Sequence, residues 1–332
     1  MKNILINLPP SFFTQPELAP IFARLEEHGT VRKTSHDKPE ALAPDMKWAD
    51  VVLMWSWPRL DDAGFEAAGP IEFIGHIDLG QSLARTELAR GIPLSLSKGG
   101  WSPAVAEMAL GLTLSCLRRI SHYHAAMKAG NEEWVRQLPG DLDRRERQLT
   151  GASVAVVGLG QVGRRFAELL GPFEVDLHVV DPYIPNEVLG KYGGRRVTIE
   201  EATEQCEVIV LCAAANPGTD RLLNADRIRA MRPNAVLINV ARARLIDMEA
   251  LAERLGQGDL IAALDVFEEE PLPRDAAIRR LPNLYLTPHR AGGLMVSVLR
   301  TINWLIDDYE RLVAGQPRNY AVTEKMVPLL DG

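Results

Sequence analysis

From residue 151 to residue 289 the chain alternates short apolar runs with helical stretches in a very regular order. The first hundred residues show a similar alternation. Short apolar runs separated by helical segments are typical of parallel sheets whose strands are joined by crossover helices. The predicted strands are 4–9, 50–55, 72–76, 92–97, 152–157, 175–181, 207–213, 235–241, 260–267 and 284–289. The sequence therefore predicts an α/β protein with two doubly wound parallel sheets.

The segment GLGQVG at 158–163 stands between an apolar run and a helical stretch. Gly158 permits a tight turn from strand to helix, Gly160 lets a pyrophosphate approach the backbone, and Gly163 lets the helix pack closely on the strand. The N-terminus of that helix offers unpaired N–H groups to phosphates. The predicted cofactor contacts in this turn are Gly158, Gly160, Gln161, Val162 and Gly163.

Asp181 ends the next predicted strand along the chain. A carboxylate at this place accepts hydrogen bonds from the hydroxyls of an adenosine ribose and repels a 2′-phosphate. The predicted cofactor is therefore NAD(H) rather than NADP(H). Four arginines could neutralise the charge of the 2′-phosphate of NADP(H), although such residues more often lie on a solvated surface. They are Arg164, Arg165, Arg195 and Arg196.

Polar side chains follow three of the later apolar runs, where the predicted strands end. The three segments are 237–251, 262–273 and 286–293. In open α/β sheets, ligands bind outside the carboxyl ends of the strands. Arg242, Glu270 and His289 are therefore candidates to converge beside a nicotinamide ring. Taken one at a time, a helix-capping arginine, a solvated acidic run or a core histidine would also explain them.

With these motifs together, the chain resembles the D-isomer-specific 2-hydroxyacid dehydrogenases, which include phosphoglycerate dehydrogenase, glyoxylate/hydroxypyruvate reductases and D-lactate dehydrogenase. The resemblance is carried by the G-x-G-x-x-G turn with its Asp and by the N-x-A-R, L-D-V-F-x-x-E-P and T-P-H stretches. It is dense from about Arg90 to Gly293. It implies a Rossmann NAD domain inserted into a flavodoxin-like substrate domain, and reduction of a small 2-oxo acid such as glyoxylate or hydroxypyruvate.

The resemblance also implies a role for each candidate residue. Arg242 would clamp the substrate carboxylate and 2-oxo group through its planar fork. His289 would donate a proton to the carbonyl oxygen and accept it in the reverse direction, and Glu270 would fix the tautomer of the imidazole. Asp265 would bind the nicotinamide carboxamide. Ala241, Arg242 and His289 would also contact the cofactor.

The segment that would hold the substrate departs from the family's pattern. The family has a Gly-rich loop whose backbone N–H groups bind the substrate carboxylate, and this chain has His76, Ile77 and Asp78 there. These three residues and Arg242 are the predicted substrate contacts. Lys98 stands where the family usually has Pro, and Trp101 stands where it usually has Asn.

The stretch MWSWPR at 54–59 lacks the Arg-Ser pair that phosphoglycerate dehydrogenases tend to have near this point, although Arg59 lies slightly beyond Ser56. Phosphoglycerate is for that reason disfavoured. Trp55 and Trp57 could wall a pocket for an apolar or sugar-like side chain, or pack in the core. Two alternatives stay open: a dehydrogenase for a bulkier or phosphorylated acid, and a non-catalytic protein that senses NAD(H).

Two domains are expected from the 332 residues and from the order of the motifs. The substrate domain would comprise 1–101 and 297–332, and the NAD domain 102–296. The cleft between them would close on cofactor and substrate and exclude water. The nearly all-apolar helix 103–117 and the arm 121–148 match the family's dimerisation region, so the resemblance implies a homodimer.

The net charge of −7 gives the chain no overall attraction for nucleic acid or for an anionic membrane. No apolar run reaches membrane-spanning length. The spacing of Cys116, Cys206 and Cys212 fits no zinc site, and no metal is predicted. Reduced, buried thiols are the expected state of these cysteines, which indicates a cytoplasmic protein.

Overall fold

The computed structural model describes residues 1–55, 58, 65, 68–131 and 133–331. It divides into two compact units, unit 1 (Met1–Trp101 and Leu294–Gly332) and unit 2 (Ser102–Gly293). The return to unit 1 comes before the expected residue 297, because the helix Met295–Val313 belongs to unit 1 as a whole. The predictions made for Ser56, Trp57 and Arg59 fall outside the described residues.

Within the described residues, unit 1 is built on a five-stranded parallel sheet in the order β2-β1-β3-β4-β5. The strands are β1 (Lys2–Asn7), β2 (Gly29–Thr34), β3 (Val51–Met54), β4 (Phe73–His76) and β5 (Leu94–Leu96). Described helices of this unit are α1 (Pro10–Phe13), α2 (Ala19–Glu26), α3 (Pro39–Trp48), α4 (Gln81–Ala89) and α12 (Met295–Val313). Apolar clusters cover both faces of the sheet. The flavodoxin-like order is confirmed.

Gly29 corrects one local prediction. The stretch PELAPIFARLEEHG at 16–29 predicts one helix that ends at Gly29. The structure has a 3₁₀ turn at Pro16–Leu18 followed by α2, and Gly29 begins β2. A Cβ on Gly29 would lie 2.0 Å from the Lys2 carbonyl oxygen, so only glycine fits where β2 approaches β1. None of the six residues of this strand is buried, and the strand lacks the apolar run that identifies its neighbours.

Unit 2 contains, in its described part, a seven-stranded parallel sheet in the order β12-β11-β10-β9-β6-β7-β8. The strands are β6 (Ser153–Val157), β7 (Asp176–Val180), β8 (Arg195–Arg196), β9 (Val208–Leu211), β10 (Ala235–Asn239), β11 (Leu260–Leu264) and β12 (Leu284–Leu286). The chain order reverses at the pair β6 and β9, which is the topological switch point of a Rossmann sheet. The predicted Rossmann fold is confirmed.

The helices of unit 2 cover the two faces of this sheet. They are α5 (Ser102–Leu117), α6 (Ile120–Lys128), α7 (Gln161–Leu170), α8 (Asn186–Gly190), α9 (Ile199–Gln205), α10 (Ala225–Ala230) and α11 (Met248–Gly256). Helix α5 packs against α7, β10 and β11, which explains its largely apolar sequence. Further 3₁₀ turns are Lys98–Trp101, Gly171–Phe173, Ala243–Leu245, Ala277–Arg280 and Glu324–Leu329. Among the described residues, no helix combines the length and apolarity needed to span a bilayer.

Candidate active site

The Gly-rich turn joins β6 to α7 at the switch point of the unit 2 sheet. Gly158 has φ +90°, and a Cβ there would meet the Ala213 Cα at 2.6 Å. A Cβ on Gly163 would lie 2.0 Å from the Gly158 carbonyl oxygen. A Cβ on Gly160 would meet nothing within 4 Å, so the space beside this residue is open. The backbone thus leaves room for a ligand at Gly160 and packs tightly at the other two glycines.

The N-terminus of α7 carries N–H groups without helical partners. Gly160 is the N-cap, no side chain caps the helix, and the first helical bond runs from the Arg164 N–H to the Gly160 carbonyl. The N–H groups of Gln161, Val162 and Gly163 therefore lack acceptors within the helix. Open space and uncapped donors at one helix N-terminus fit the pyrophosphate of a dinucleotide.

Asp181 lies directly after β7 and is tied to the Gly-rich turn. Its Oδ2 accepts the Leu159 N–H at 2.8 Å, and its Oδ1 accepts the Tyr183 N–H at 2.9 Å. Each carboxylate oxygen keeps a second lone pair that can accept from a ribose hydroxyl. Arg196 donates to the Asp181 and Ile184 carbonyl oxygens, so its side chain braces the loop after β7.

Replacing Asp181 by Asn is expected to raise the ratio of kcat/KM for NADPH to that for NADH by at least about tenfold, because the charge that repels a 2′-phosphate is gone. Asn keeps an amide oxygen for only one of the two backbone donors, Leu159 N–H and Tyr183 N–H. Steady-state kinetics with both cofactors measure the ratio. Asp176→Asn, at the opposite end of β7, is the control for net charge, and an equal rise in that variant contradicts the assignment.

The side chains predicted to do the chemistry follow three adjacent strands. Arg242 follows β10, Glu270 follows β11 and His289 follows β12. The Nδ1 of His289 lies 2.6 Å from Glu270 Oε2, and the Phe267 N–H donates to Glu270 Oε1 at 2.9 Å. The His289 side chain is half exposed, so its Nε2 is the ring nitrogen left for a ligand. The sheet thus brings the predicted acid–base pair together.

His289 and Arg242 both influence the pKa of Glu270. Burial alone raises the pKa of this carboxyl, but hydrogen bonds from His289 and the Phe267 N–H, with the charge of Arg242, bring the pKa below its usual value of 4.5. Glu270 is therefore ionised at neutral pH and accepts the Nδ1 proton of His289. That bond fixes the imidazole orientation and directs Nε2 outward.

Glu270→Gln is expected to lower the free energy of unfolding more at neutral pH than in acid. A carboxyl whose pKa is lowered on folding stabilises the fold above its unfolded pKa, and the contribution is lost as pH falls through the lower, folded pKa. Urea denaturation across a pH series measures the difference from the parent chain. The exposed neighbour Glu268→Gln controls for charge removal, and a difference for Glu270→Gln that is independent of pH would refute this prediction.

The predicted contact of Asp265 with a nicotinamide carboxamide stays a prediction, and the structure gives this residue a structural role. Its carboxylate is fully buried and accepts hydrogen bonds from the Thr287 hydroxyl at 2.6 Å, the Arg290 N–H at 2.9 Å and the Ala291 N–H at 2.8 Å. Through these bonds Asp265 holds the loop that carries His289, whose φ of +50° is one that few non-glycine residues adopt.

Asn239 is a site residue that the predicted set lacks. It is fully buried at the end of β10, its amide donates to the Arg242 carbonyl at 2.9 Å, and its Oδ1 accepts the Ala241 N–H at 3.0 Å. These bonds shape the turn from which Arg242 projects. The Arg242 guanidinium is half-buried and donates to the Ala241 carbonyl. The N-x-A-R motif contained the signal, because a polar residue ending an apolar strand needs a local partner.

The substrate contacts predicted at His76, Ile77 and Asp78 in unit 1 stay a prediction. The side chains of His76 and Ile77 are fully buried, and His76 Nε2 lies 2.9 Å from both carboxylate oxygens of the buried Glu87. The Ile77 N–H donates to the Met54 carbonyl. Helices cover both faces of this sheet, so side chains at the end of β4 enter the core whichever way they point. Asp78 is one-third exposed and pairs with Lys98 at 2.7 Å.

The three cysteines are free thiols. Burial raises the pKa of Cys206 and of Cys212 to about 12, which suits inert thiols rather than nucleophiles. Among the described residues, no group of three or more His, Cys, Asp or Glu side chains is arranged to hold a metal ion.

Comparison with known proteins agrees with this geometry. Residues 110–291 match the family described as "D-isomer specific 2-hydroxyacid dehydrogenase, NAD binding domain". The chain is 34% identical to the D-3-phosphoglycerate dehydrogenase of Methanocaldococcus jannaschii over 92% of its own length and 57% of that protein. It is 30% identical to the glyoxylate reductase of Thermofilum pendens over 76% of its own length and 75% of the relative.

The fold also has close structural counterparts. The PH0520 protein of Pyrococcus horikoshii superposes with a TM-score of 0.84 at 22% identity, covering 98% of this chain and 96% of that one. The chain spans little more than half the length of the two D-3-phosphoglycerate dehydrogenases it matches first. The Gly-rich turn, Asp181 and the matched family model identify an NAD-binding domain in unit 2. The chain belongs to the D-isomer-specific 2-hydroxyacid dehydrogenase family.

Proposed function

We propose that the chain is an NAD-dependent oxidoreductase that interconverts D-2-hydroxy acids and 2-oxo acids. The proposal is carried by the His289–Glu270 pair, 2.6 Å apart, at the carboxyl edge of the sheet that also presents the dinucleotide turn. In the reducing direction, a 2-oxo acid, NADH and one proton give a D-2-hydroxy acid and NAD⁺. A protein that only senses NAD(H) has no need of a positioned acid–base pair.

Three residues of unit 2 have different roles in the proposed reaction. A bound NADH supplies the hydride to C2 of the 2-oxo acid. Arg242 binds the carboxylate and polarises the carbonyl with its fixed guanidinium donors. His289 donates the Nε2 proton to the carbonyl oxygen as it becomes an alcohol, and Glu270 stabilises the imidazole orientation throughout. In the oxidising direction the same Nε2 accepts the alcohol proton.

The substrate is expected to be a free 2-oxo acid rather than an ester or an amide, since Arg242 binds a carboxylate. The relatives include a glyoxylate reductase and D-3-phosphoglycerate dehydrogenases. Their names therefore favour neither a small nor a phosphorylated side chain on the substrate. Glyoxylate and hydroxypyruvate represent the small 2-oxo acids that the sequence favours. Phosphohydroxypyruvate represents the phosphorylated alternative.

The test is NADH oxidation, followed by absorbance, across a panel of 2-oxo acids. We expect turnover with at least one of them and, for every acid whose product is chiral, a D-configured product on chiral chromatography. Tight NADH binding without turnover of any acid would overturn the enzymatic proposal and favour a sensing function.

A homodimer is proposed from the surface of unit 2. Helix α6 has no buried residue, and the stretch from Ile120 to Leu142 exposes several large apolar side chains. They are Ile120, Met127, Trp134, Val135, Leu138 and Leu142. The proposal takes these side chains to belong to one apolar patch, because large exposed apolar patches mark protein interfaces. Sedimentation equilibrium of the full chain tests the proposal, and a monomer at micromolar concentration refutes it. The free cysteines favour a reducing compartment, and the cytoplasm is the proposed location.

A further inference from the structure

The loop that follows β7 carries the carboxylate predicted to bind the adenosine ribose. This loop, 181–186, runs from Asp181 to the first residue of α8 and has the sequence DPYIPN. Four of its six residues are exposed, and the other two are half-buried. Apolar packing therefore holds little of the loop in place, and the position of Asp181 depends on polar contacts.

Arg196 bridges this loop from the edge strand β8, where it pairs with Val179 of β7. Its Nη1 donates to the Asp181 carbonyl, and its Nη2 donates to the Ile184 carbonyl and to Asn186 Oδ1 at 3.3 Å. One guanidinium thus joins the first, fourth and sixth residues of the loop. A bridge of this kind uses the rigid planar fork of arginine, because the ammonium of lysine is a compact point charge.

The backbone of the same loop orients the Asp181 carboxylate. Its Oδ1 accepts the Tyr183 N–H at 2.9 Å, and its Oδ2 accepts the Leu159 N–H of the Gly-rich turn at 2.8 Å. The Tyr183 donor moves with the loop, whereas the Leu159 donor belongs to a different segment. A loop that loosens would carry the Tyr183 N–H away and let the carboxylate rotate. By holding the loop, Arg196 keeps both donors in place.

The contacts of Arg196 differ from those of a phosphate ligand. An arginine that binds a phosphate directs its terminal nitrogens to the phosphate oxygens, often in a bidentate pair. Both terminal nitrogens of Arg196 donate instead to oxygens of the loop. Binding a 2′-phosphate through these nitrogens would break the two carbonyl bonds and release the loop that carries Asp181. The structure therefore favours a brace over a phosphate ligand.

From these contacts we infer that Arg196 is a positioning residue for the cofactor, which holds the loop 181–186 so that Asp181 presents its carboxylate to the adenosine ribose of NADH. The dissociation constant of a ligand rises as the fraction of protein in the binding-competent arrangement falls. Loss of the brace therefore weakens NADH binding. The inference rests on the NAD dependence of the proposed function, but cofactor binding alone tests it. If no 2-oxo acid turns over, the proposed function fails and the inference is still decided.

The first test measures the binding of NADH and of NADPH to the full chain by isothermal titration calorimetry. Arg196→Met is expected to raise the dissociation constant of NADH by about fivefold, the factor that corresponds to one net hydrogen bond. The dissociation constant of NADPH is expected to rise less, because the charge of Asp181 repels the 2′-phosphate in either arrangement of the loop. A rise confined to NADPH would identify Arg196 as a phosphate ligand and overturn the inference, as would an unchanged dissociation constant for NADH.

A second mutation shows whether Arg196 acts through Asp181. In the Asp181→Asn background, Arg196→Met is expected to change the dissociation constant of NADH by less than about twofold, because the group that Arg196 positions is gone. Equal losses in both backgrounds would show an effect independent of the carboxylate and overturn the inference. Hydrogen exchange of the segment 181–186 is expected to become faster in Arg196→Met. Exchange that stays unchanged in this segment contradicts the brace.

Two further variants separate the brace from net charge. Arg195→Met is the matched control, because Arg195 is the exposed neighbour of Arg196 on β8 and its Nη2 lies 2.7 Å from His178 Nε2 instead of contacting the loop. It is expected to leave NADH binding unchanged, and a loss equal to that of Arg196→Met overturns the inference. Arg196→Lys keeps the charge without the planar fork, so it is expected to lose most of the affinity that Arg196→Met loses. Full affinity in Arg196→Lys overturns the inference, and this variant decides the question if Arg196→Met does not fold.

Discussion

Replacing His289 by Asn is expected to lower kcat by about 10²- to 10⁴-fold, the range that a positioned general acid contributes. Asn has no group that can donate a proton of suitable acidity to the carbonyl oxygen. It does tolerate the backbone of this position, because Asn adopts positive φ more readily than most residues and His289 has φ +50°. The fold is therefore retained, and the loss measures chemistry. Single-turnover kinetics with NADH and the best 2-oxo acid give the rate.

The control for this variant is His36→Asn. His36 also pairs with a carboxylate, Asp45 Oδ2 at 2.7 Å, but it lies in unit 1 after the edge strand β2. Its loss is expected to leave kcat within about twofold, as for a surface pair with little energetic weight. Thermal melting of both variants checks that they are folded. A His289→Asn variant that retains more than a tenth of the rate would show that another group supplies the proton.

Replacing Gly163 by Ala is expected to have the second largest effect, a loss of about 3 kcal/mol of unfolding free energy together with most of the affinity for NADH. The added Cβ would lie 2.0 Å from the Gly158 carbonyl oxygen and 3.2 Å from a Val156 methyl. A backbone oxygen cannot rotate away as a side chain does, so α7 must move off β6. That movement also displaces the N–H groups offered to the pyrophosphate.

Variants of two further glycines distinguish an effect on packing from an effect on NADH binding. Gly160→Ala adds a Cβ in open space, so it is expected to leave stability unchanged and to weaken NADH binding, because the methyl occupies the approach of the pyrophosphate. Gly171→Ala, at the other end of α7, also meets nothing and has helical φ and ψ, so neither property is expected to change. Denaturant unfolding measures the stability of each variant, and NADH fluorescence titration measures its affinity for NADH. Equal behaviour of Gly163→Ala and Gly171→Ala would contradict the packing argument.

The parts of the fold that the sequence predicts correctly are those with a strong local signal. Apolar runs identify the central strands because parallel strands covered on both faces need continuous apolar sequence. The edge strands β2 and β8 have no such signal, since β8 is Arg195–Arg196 and both its residues are exposed. Their pairing to β1 and β7 is decided by neighbours distant in sequence.

Some features of the candidate site also have a local sequence signal, and others have none. Arg242, Glu270 and His289 could be predicted to converge because each follows a strand, and all carboxyl ends of a parallel sheet share one edge. The direction of a side chain at that edge has no local signature. His76, Ile77 and Asp265 also lie at strand ends, yet the tertiary structure buries all three.

The sequence by itself determined the strand–helix alternation, the glycine turn with Asp181, and the set of charged groups that follow the strands of unit 2. These follow from local backbone sterics and from apolar periodicity. Only the tertiary structure decided which polar groups are consumed by internal hydrogen bonds and which are left for a ligand. It placed the Asp265 carboxylate on three internal donors and left His289 half exposed. The reason is that burial and hydrogen bonding depend on residues far apart in the chain. A sequence motif contains only residues that are close together in the chain.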